Sequence, residues 1–301
     1  MFIDCFPYFN EIELLELRIR MLYEHVDRFL IVEADKTHRG DPKAFTCKAD
    51  LEKLKVPTDK ISLVQVSLPS EEENPDPWVR ERGQRDALTH VMDMCDENTI
   101  FFVSDCDEIL DPCKIPDALK VVSENYDMII HAPMVFLMGR ADRRAYKPDG
   151  TPYFWSAPYF LINKQRQNRS LSAIRESQGR YFYKDGEVVD RSMFLDPVEV
   201  AAGTCGWHFS WMGSNERRQI KCRSFVHCHD NIPSAAAPLN STKIQDFIQN
   251  YTPDVGNTDP IGRSDHILEY FPPELLPTEA FTIERARNFL FSDGRSNARS
   301  S

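Results

Sequence analysis

The sequence of 301 residues has no hydrophobic run long enough to cross a bilayer. Its most apolar stretch, residues 128–138, is too short for a span and contains His131 and Pro133. The first residues also lack the basic region and the long apolar region of a signal peptide. These absences predict a protein with no membrane span that is cytoplasmic or otherwise soluble inside the cell.

Positive charge is also scarce. The chain carries 36 Lys and Arg residues against 47 Asp and Glu residues, a formal net charge of −11. A protein that coats nucleic acid needs a basic face to neutralise phosphates, so this balance predicts no nucleic-acid partner. A single bound nucleotide is still compatible with it, because a divalent cation can offset the local repulsion.

Two kinds of motif are missing as well. The eight cysteines form no C-x-x-C pair, so the sequence predicts reduced thiols rather than a disulfide framework. There is no glycine-rich phosphate loop and no Ser-His-Asp order. Nucleotide hydrolysis on a P-loop and serine-hydrolase chemistry therefore have no support.

Short apolar runs alternate with helical patterns through the first part of the chain. The apolar runs predict strands over residues 2–9, 29–32, 61–66, 100–103 and 128–137. The helical patterns predict helices over residues 11–26, 51–54, 78–94 and 114–122, with a later one over 282–291. Apolar strands that alternate with helices predict an α/β fold with a mainly parallel, Rossmann-type sheet flanked by helices.

The second half is richer in aromatic, glycine and turn residues, mainly between 146 and 211. It predicts antiparallel strands and loops over the carboxyl edge of the sheet, where open α/β sheets bind ligands. No linker or internal repeat divides the chain. We therefore expect one domain over 1–291, made of a 1–137 half and a 138–291 half, and a disordered tail over 292–301.

An acidic cluster, Asp105, Asp107 and Glu108, directly follows the apolar run at 100–103. Alternate residues of an extended segment point the same way, so Asp105 and Asp107 are expected to present oxygens to one cation. Mg²⁺ or Mn²⁺ suits such ligands and can also hold a substrate diphosphate. The alternative is that the acids cap the next helix or decorate a turn, and Glu108 is the acid most expected to have such a supporting role.

Several motifs occur in one order along the chain. They are DCFPYFNE at 4–11, LLELR at 14–18, VDRFLIVEA at 26–34, RDAL at 85–88, SDCDEI at 104–109 and GWHFSW at 206–211. Together they resemble glycosyltransferase family 17, the family of the β-1,4-mannosyl-glycoprotein N-acetylglucosaminyltransferases. The resemblance covers nearly the whole chain, with gaps around 140–200.

The resemblance implies a GT-A-like fold, a UDP-sugar donor with UDP-GlcNAc as the first choice, and a divalent cation. It also implies inverting transfer to a hydroxyl of a glycan or glycoprotein acceptor, and a Golgi lumen location only for a truncated sequence. The chemistry agrees with the residue types. The charge that develops on a departing diphosphate must be neutralised by cations, and a carboxylate or histidine must take the acceptor proton.

Candidate site residues follow from the resemblance and from residue type. The donor-binding candidates are Glu33, Arg82, Arg85, Asp86, Asp105 and Arg175, and the metal candidates are Asp105, Asp107 and His208. Some also have plainer interpretations. Glu33 could be a solvated loop acid, and Arg82 with Asp86, four residues apart, could be a surface ion pair. A histidine beside aromatic residues, such as His208, is commonly a core residue.

No motif identifies the general base, and Glu176 and Asp190 are its candidates because they lie in the acceptor-side region. Two other functions could use the same acids. A metal-dependent phosphoesterase or nucleotidyltransferase normally needs a further carboxylate set for a second metal, which the sequence does not reveal. The other alternative is a non-catalytic carbohydrate- or nucleotide-binding module of the same fold.

Overall fold

The computed structural model of the protein describes residues 1–125, 129–147, 149–166, 169–177, 182–184, 187–189, 193–194, 204–226 and 267–292. Asp190, one of the two base candidates, lies outside these ranges, as do residues 293–301 of the predicted tail.

The described residues form strands β1 (Phe2–Tyr8), β2 (Arg28–Ala34), β3 (Ile61–Val66), β4 (Ile100–Val103), β5 (Glu108–Leu110), β6 (Ile130–His131), β7 (Met134–Met138), β8 (Arg143–Tyr146), β9 (Phe154–Trp155), β10 (Tyr159–Ile162), β11 (Phe182–Lys184), β12 (Glu187–Val189), β13 (Met193–Phe194), β14 (Gly206–Ser210) and β15 (Ile267–Tyr270). The helices are α1 (Ile12–Leu22), α2 (Cys47–Leu54), α3 (Pro77–Asp86), α4 (Thr89–Met92), α5 (Ile115–Glu124), α6 (Leu171–Ser177), α7 (Asn215–Ser224), α8 (Glu279–Thr282) and α9 (Glu284–Leu290).

The main sheet has the strand order β13-β6-β10-β4-β1-β2-β3. Strands β4, β1, β2 and β3 are mutually parallel, whereas β10 is antiparallel to both of its neighbours. Phe102 packs into one core with Phe6, while Phe101 and Val103 pack into a second core on the opposite face. The sheet is therefore buried on both sides, as its apolar strands require, and the predicted α/β fold with a mainly parallel sheet is confirmed.

A second sheet, β15-β8-β7-β14-β5, holds the later strands, and β9 pairs with β7. Its strand β14 begins at Gly206, where a Cβ atom would lie only 2.1 Å from the main-chain oxygen of Ile109. Only glycine allows this approach of β14 to β5. The resulting register places His208 opposite Glu108, directly beside the acidic cluster.

Two of the predicted elements are each divided into two in the structure. The helix expected over 78–94 is divided into α3 and α4, because Leu88 donates its N–H to Arg85 three residues back and the ladder tightens there. The strand expected over 128–137 is β6 and β7, which belong to different sheets and are separated by Pro133. The helix predicted over 282–291 corresponds to α9, and α8 precedes it, separated by Ile283 in an extended conformation.

None of the helices formed by the described residues is long and apolar enough to cross a membrane. Seven cysteines fall within the described ranges, and all seven are free thiols, as predicted.

Candidate active site

The acidic cluster forms a tight turn at the carboxyl end of β4, and a buried arginine of α1 holds its main chain. The Arg18 guanidinium forms a bidentate pair with Asp4 of β1, at 2.8 and 2.5 Å. It also donates to the main-chain oxygens of Asp105 (2.7 Å) and Glu108 (3.0 Å) and to the Ser104 hydroxyl (2.6 Å). Because Arg18 and Asp4 are fully buried, this network fixes the shape of the turn from within the core.

The side chains of Asp105 and Asp107 have separate partners. The Asp105 carboxylate accepts hydrogen bonds from Arg85 (2.8 Å) and Arg175 (2.6 Å). The Asp107 carboxylate accepts one from Lys221 (3.0 Å), and its other oxygen lies 3.5 Å from His208 Nε2. The chain turns here instead of running extended, so the two carboxylates face different partners in this structure.

Both acids are held ionised. Burial alone would raise the pKa of Asp105, but Arg175 and Arg85 outweigh it and lower the pKa to about 2. Burial likewise opposes ionisation of Asp107, and Lys221 with His208 lowers its pKa well below the usual range. Opposite charges within a few ångströms have this effect, so the turn carries two carboxylates, each with its own cations.

Glu108 supports the turn, as the sequence led us to expect of this acid. Its side chain is fully buried, and Oε2 accepts a hydrogen bond from the main-chain N–H of Asp105 at 2.5 Å. Oε1 accepts from the indole of Trp155 and from Arg175 Nη2, the latter at 2.8 Å. Glu108 thus orients Arg175 together with Asp105, and it is not free to bind a ligand.

A cleft of about 380 Å³ opens over this turn, at the carboxyl ends of β1, β2 and β4. Its charged lining includes Asp105, Asp107, Arg85, Arg175, His208 and Lys221, and its aromatic lining includes Tyr8, Phe9, Trp78, Trp155 and Trp211. The volume and the mixed lining are typical of small-molecule sites, and the position is the edge where open α/β sheets bind ligands.

The structure divides the predicted donor-binding residues into two groups. Arg85, Asp105 and Arg175 line the cleft together. Arg82 does not line it, because its guanidinium forms an ion pair with Glu176 at 2.5 Å. Glu176 itself lies at the cleft edge and is about half exposed.

Glu33 and Asp86 bind helix starts instead of the cleft. The Glu33 carboxylate is fully buried and accepts hydrogen bonds from the N–H groups of Thr46 (2.6 Å) and Cys47 (3.2 Å), where α2 begins. Asp86 accepts from the N–H of Ser172 at 2.8 Å, in the first turn of α6. Helix N-termini attract carboxylates, so the prediction that these two acids touch the donor does not fit this geometry.

Two cleft residues were not singled out from the sequence. Lys221, on α7, is 114 residues from Asp107 along the chain. Glu11, at the start of α1, lies in the DCFPYFNE motif, but only the folded structure brings it beside the acidic turn. Burial raises the pKa of Glu11 to about 8, with Lys221 opposing the shift and Asp107 adding to it.

The residues present fit a divalent cation that is shared with a substrate. Within the described ranges no three His, Cys, Asp or Glu side chains are arranged to hold a metal alone. Mg²⁺-type sites, however, commonly use one or two protein ligands and complete the shell with phosphate and water. Asp107 and His208 form such a pair, and the Nδ1 atom of His208 is buried without a hydrogen-bond partner in the described structure. Asp105, held by two arginines, does not fit this role.

A larger surface groove of about 1130 Å³ lies between α1, α7 and α9. Its charges neutralise one another, with Arg217 2.6 Å from Glu13 and Arg285 3.1 Å from Glu16. In the smaller cleft, by contrast, several charged side chains converge on one point. The smaller cleft is therefore the candidate active site.

Comparison with known proteins agrees with the sequence motifs. Residues 2–138 match the family model described as glycosyltransferase family 17. This segment, which is a little under half of the chain, is similar to glycosyltransferase family 17. The match includes the acidic turn, Arg18 and Arg85, and it confirms the resemblance inferred from the motifs. The match supports a glycosyltransferase function, and the cleft, which the acidic turn of the matched segment helps to line, is the candidate active site.

No curated protein matches the chain significantly. Among solved structures, a 4-diphosphocytidyl-2C-methyl-D-erythritol synthase is 10% identical, with 64% of this chain and 88% of that chain covered and a TM-score of 0.35. The Francisella tularensis 2-C-methyl-D-erythritol 4-phosphate cytidylyltransferase is 11% identical, with 59% and 84% covered and a TM-score of 0.34. S. aureus TarS is 16% identical, with 46% and 21% covered and a TM-score of 0.26. Structural similarity at these scores does not indicate a function for this chain.

Proposed function

We propose that this protein is a family 17 glycosyltransferase that takes a sugar from a UDP-sugar, with UDP-GlcNAc as the first candidate, and transfers it with inversion to a hydroxyl of a glycan or glycoprotein. The observation that supports this most is the set of three cations, Arg85, Arg175 and Lys221, converging with Asp107 and His208 on one cleft. A nucleoside diphosphate is a ligand whose charge matches such a set.

The two arginines are proposed to bind the diphosphate. Both guanidinium groups are already oriented, Arg85 by Glu81 and Asp105, and Arg175 by Asp105 and Glu108. Arg85 is 3% exposed, and its Nη1 atom is buried with no hydrogen-bond partner in the described structure. A buried unsatisfied donor is costly, and an anionic oxygen in the cleft would satisfy it after a small rotation of the side chain.

Asp107 and His208 are proposed to hold a divalent cation, Mn²⁺ or Mg²⁺, together with the diphosphate. When bound, such a cation supplies charge neutralisation for the departing diphosphate. Lys221, whose ammonium lies 3.0 Å from Asp107, adds a fixed positive charge at the same place. These side chains are set before substrate arrives, so little reorganisation is needed as negative charge develops.

Aromatic side chains provide flat apolar surfaces for the uracil and the sugar rings. Tyr8 ends β1 and Phe9 follows it, and Trp78 lies in the first turn of α3 with 36% of its surface exposed. Trp155 and Trp211 lie on the His208 side of the cleft. Aromatic faces pack against the apolar faces of sugars and bases. We therefore propose that one of these two groups of aromatic residues contacts the rings of the donor and the other contacts the rings of the acceptor.

The experiment is a donor screen that measures UDP release with Mn²⁺ present. We expect UDP to be released slowly from UDP-GlcNAc in water and faster when a suitable glycan acceptor is added. UDP with Mn²⁺ should also raise the melting temperature. Binding without any UDP release would indicate a non-catalytic module, and release of UMP or inorganic phosphate would indicate a nucleotidyltransferase or phosphoesterase. Absence of both binding and release with every nucleoside diphosphate sugar would contradict the proposal.

A further inference from the structure

We propose that Glu11 is the general base that accepts the proton of the acceptor hydroxyl. The inference rests on the proposed glycosyl transfer and adds a catalytic residue to it. Glu11 stands between β1 and α1, at the same edge of the sheet as the acidic turn, and it lines the cleft together with Asp105, Asp107 and Lys221.

The Glu11 side chain has no structural role that accounts for its position. The residue is the N-cap of α1, and its main-chain oxygen accepts the N–H of Leu15 at 2.8 Å. Its carboxylate makes no capping hydrogen bond, although capping is the usual use of a polar side chain at this position. Glu11 is instead one of the residues that line the cleft.

Glu11 differs from the other carboxylates of the cleft. Glu81 is paired with Arg85 at 2.6 Å, and Glu176 with Arg82 at 2.5 Å. Asp105 and Asp107 each have cationic partners within hydrogen-bond distance. In the described part of the chain, Glu11 alone among these acids has neither an ion pair nor a hydrogen bond to its carboxylate. Cationic partners lower the basicity of a carboxylate, so Glu11 is the strongest base of the set.

Glu11 lies on the α7 side of the cleft. It lines a small pocket together with Arg217, Ile220 and Lys221 of α7. Arg85 and Arg175, which are proposed to bind the leaving diphosphate, contact Asp105 instead. Inversion requires that the acceptor approach from the face opposite the leaving group. The raised pKa of Glu11 agrees with the role, because a base that titrates near neutrality transfers protons efficiently.

The proposed step balances as follows. The acceptor oxygen forms a bond to the anomeric carbon of the donor, and its proton passes to a Glu11 carboxylate oxygen. The bond from the anomeric carbon to the β-phosphate oxygen breaks, and its electron pair leaves with UDP. The proton on Glu11 is then released to solvent, which restores the carboxylate.

The test uses Glu11→Gln, UDP-GlcNAc as donor, and water or azide as acceptor. Water must lose a proton when it attacks, whereas azide needs no base. We expect Glu11→Gln to lower UDP release with water by about a hundredfold or more, the usual range for a lost general base. Release with azide should stay within about threefold of the wild-type rate, because positioning and diphosphate neutralisation are unchanged.

Glu13→Gln, on the same helix but outside the cleft, is the matched control and should leave both rates unchanged. Glu11→Asp, a shorter carboxylate, should recover part of the rate with water. The proposal is overturned if Glu11→Gln keeps its rate with water, or if it loses the azide reaction to the same extent. It is also overturned if Glu176→Gln, rather than Glu11→Gln, shows the loss confined to water. Absence of UDP release from the wild-type protein with either acceptor would refute the transfer itself.

Discussion

Asp105 and Asp107 belong to one short turn, yet their surroundings differ. Asp105 is 34% exposed and lies between two guanidinium groups, those of Arg85 and Arg175. Asp107 is 6% exposed and faces an ammonium and an imidazole. The difference indicates a division of labour. Asp105 orients the arginines that are proposed to bind phosphate, whereas Asp107 is the acid available to a divalent cation.

Arg18 holds the main chain of the turn, so replacing it should disturb the surroundings of both Asp105 and Asp107. Arg18→Met leaves the Asp4 carboxylate buried without its partner and frees the main-chain oxygens of the turn. We expect a loss of about 3–5 kcal/mol in the free energy of unfolding, measured by urea denaturation. Arg20→Met, which breaks a partly exposed pair with Glu16 on the same helix, should cost about 1 kcal/mol or less. Equal losses in the two variants would contradict the role given to Arg18.

Replacing Asp105 and Asp107 separately should distinguish their two roles. We expect Asp107→Asn to lower the rate of UDP release by about a hundredfold or more, because it removes a charge proposed to act on the departing diphosphate. Asp105→Asn should lower it by about tenfold, the usual range for a group that orients another. The measurement is kcat and KM for UDP-GlcNAc, and a larger loss in Asp105→Asn would reverse the assignment.

Replacing Trp155 should have a smaller effect on the surroundings of Asp105. Its indole N–H donates to Glu108, which in turn orients Arg175. Trp155→Phe keeps the ring and removes this hydrogen bond, so we expect a loss of about 1 kcal/mol in the free energy of unfolding. Phe154→Leu on the same strand is a control for packing alone. No change in Trp155→Phe would show that the indole bond does not stabilise the turn.

Acid titration tests whether the charge of Asp105 stabilises the fold. The pKa of Asp105 in the folded protein is about 2, below its ordinary value of 3.8. A lowered pKa means that the ionised group stabilises the fold above pH 3.8, and that this stability is lost as the pH falls towards 2. In EDTA, wild type should therefore exceed Asp105→Asn in stability at pH 5, and the difference should shrink as the pH falls. A difference independent of pH would show that the Asp105 charge does not contribute.

The sequence predicted the first half of the fold better than the second. Apolar runs such as 100–103 and 29–32 match β4 and β2, because a strand buried on both faces leaves a clear local pattern. The run at 128–137 looked equally continuous, but the assignment of β6 and β7 to two sheets depends on partners elsewhere in the chain. Local patterns therefore find elements and do not assign them to sheets.

The same limit applies to the site, because local patterns identify residues but not their distant partners. Asp107, Arg85, Arg175 and His208 were found from residue type and motif order, and they do meet in the cleft. Glu33 was expected to touch the donor, but the partner of its carboxylate, the start of α2, is visible only in the folded chain. Lys221 and Arg18 act through contacts 114 and about 90 residues apart, and no local pattern reveals such pairs.

Binding of Mn²⁺ tests the division between Asp107 and Asp105 most directly. Titration of the protein with Mn²⁺ in the presence of UDP, followed by the electron paramagnetic resonance signal of free Mn²⁺, measures the cation without requiring turnover. We predict that wild type and Asp105→Asn both bind Mn²⁺ with UDP, whereas Asp107→Asn does not. Mn²⁺ binding that survives Asp107→Asn and is lost in Asp105→Asn would contradict the account.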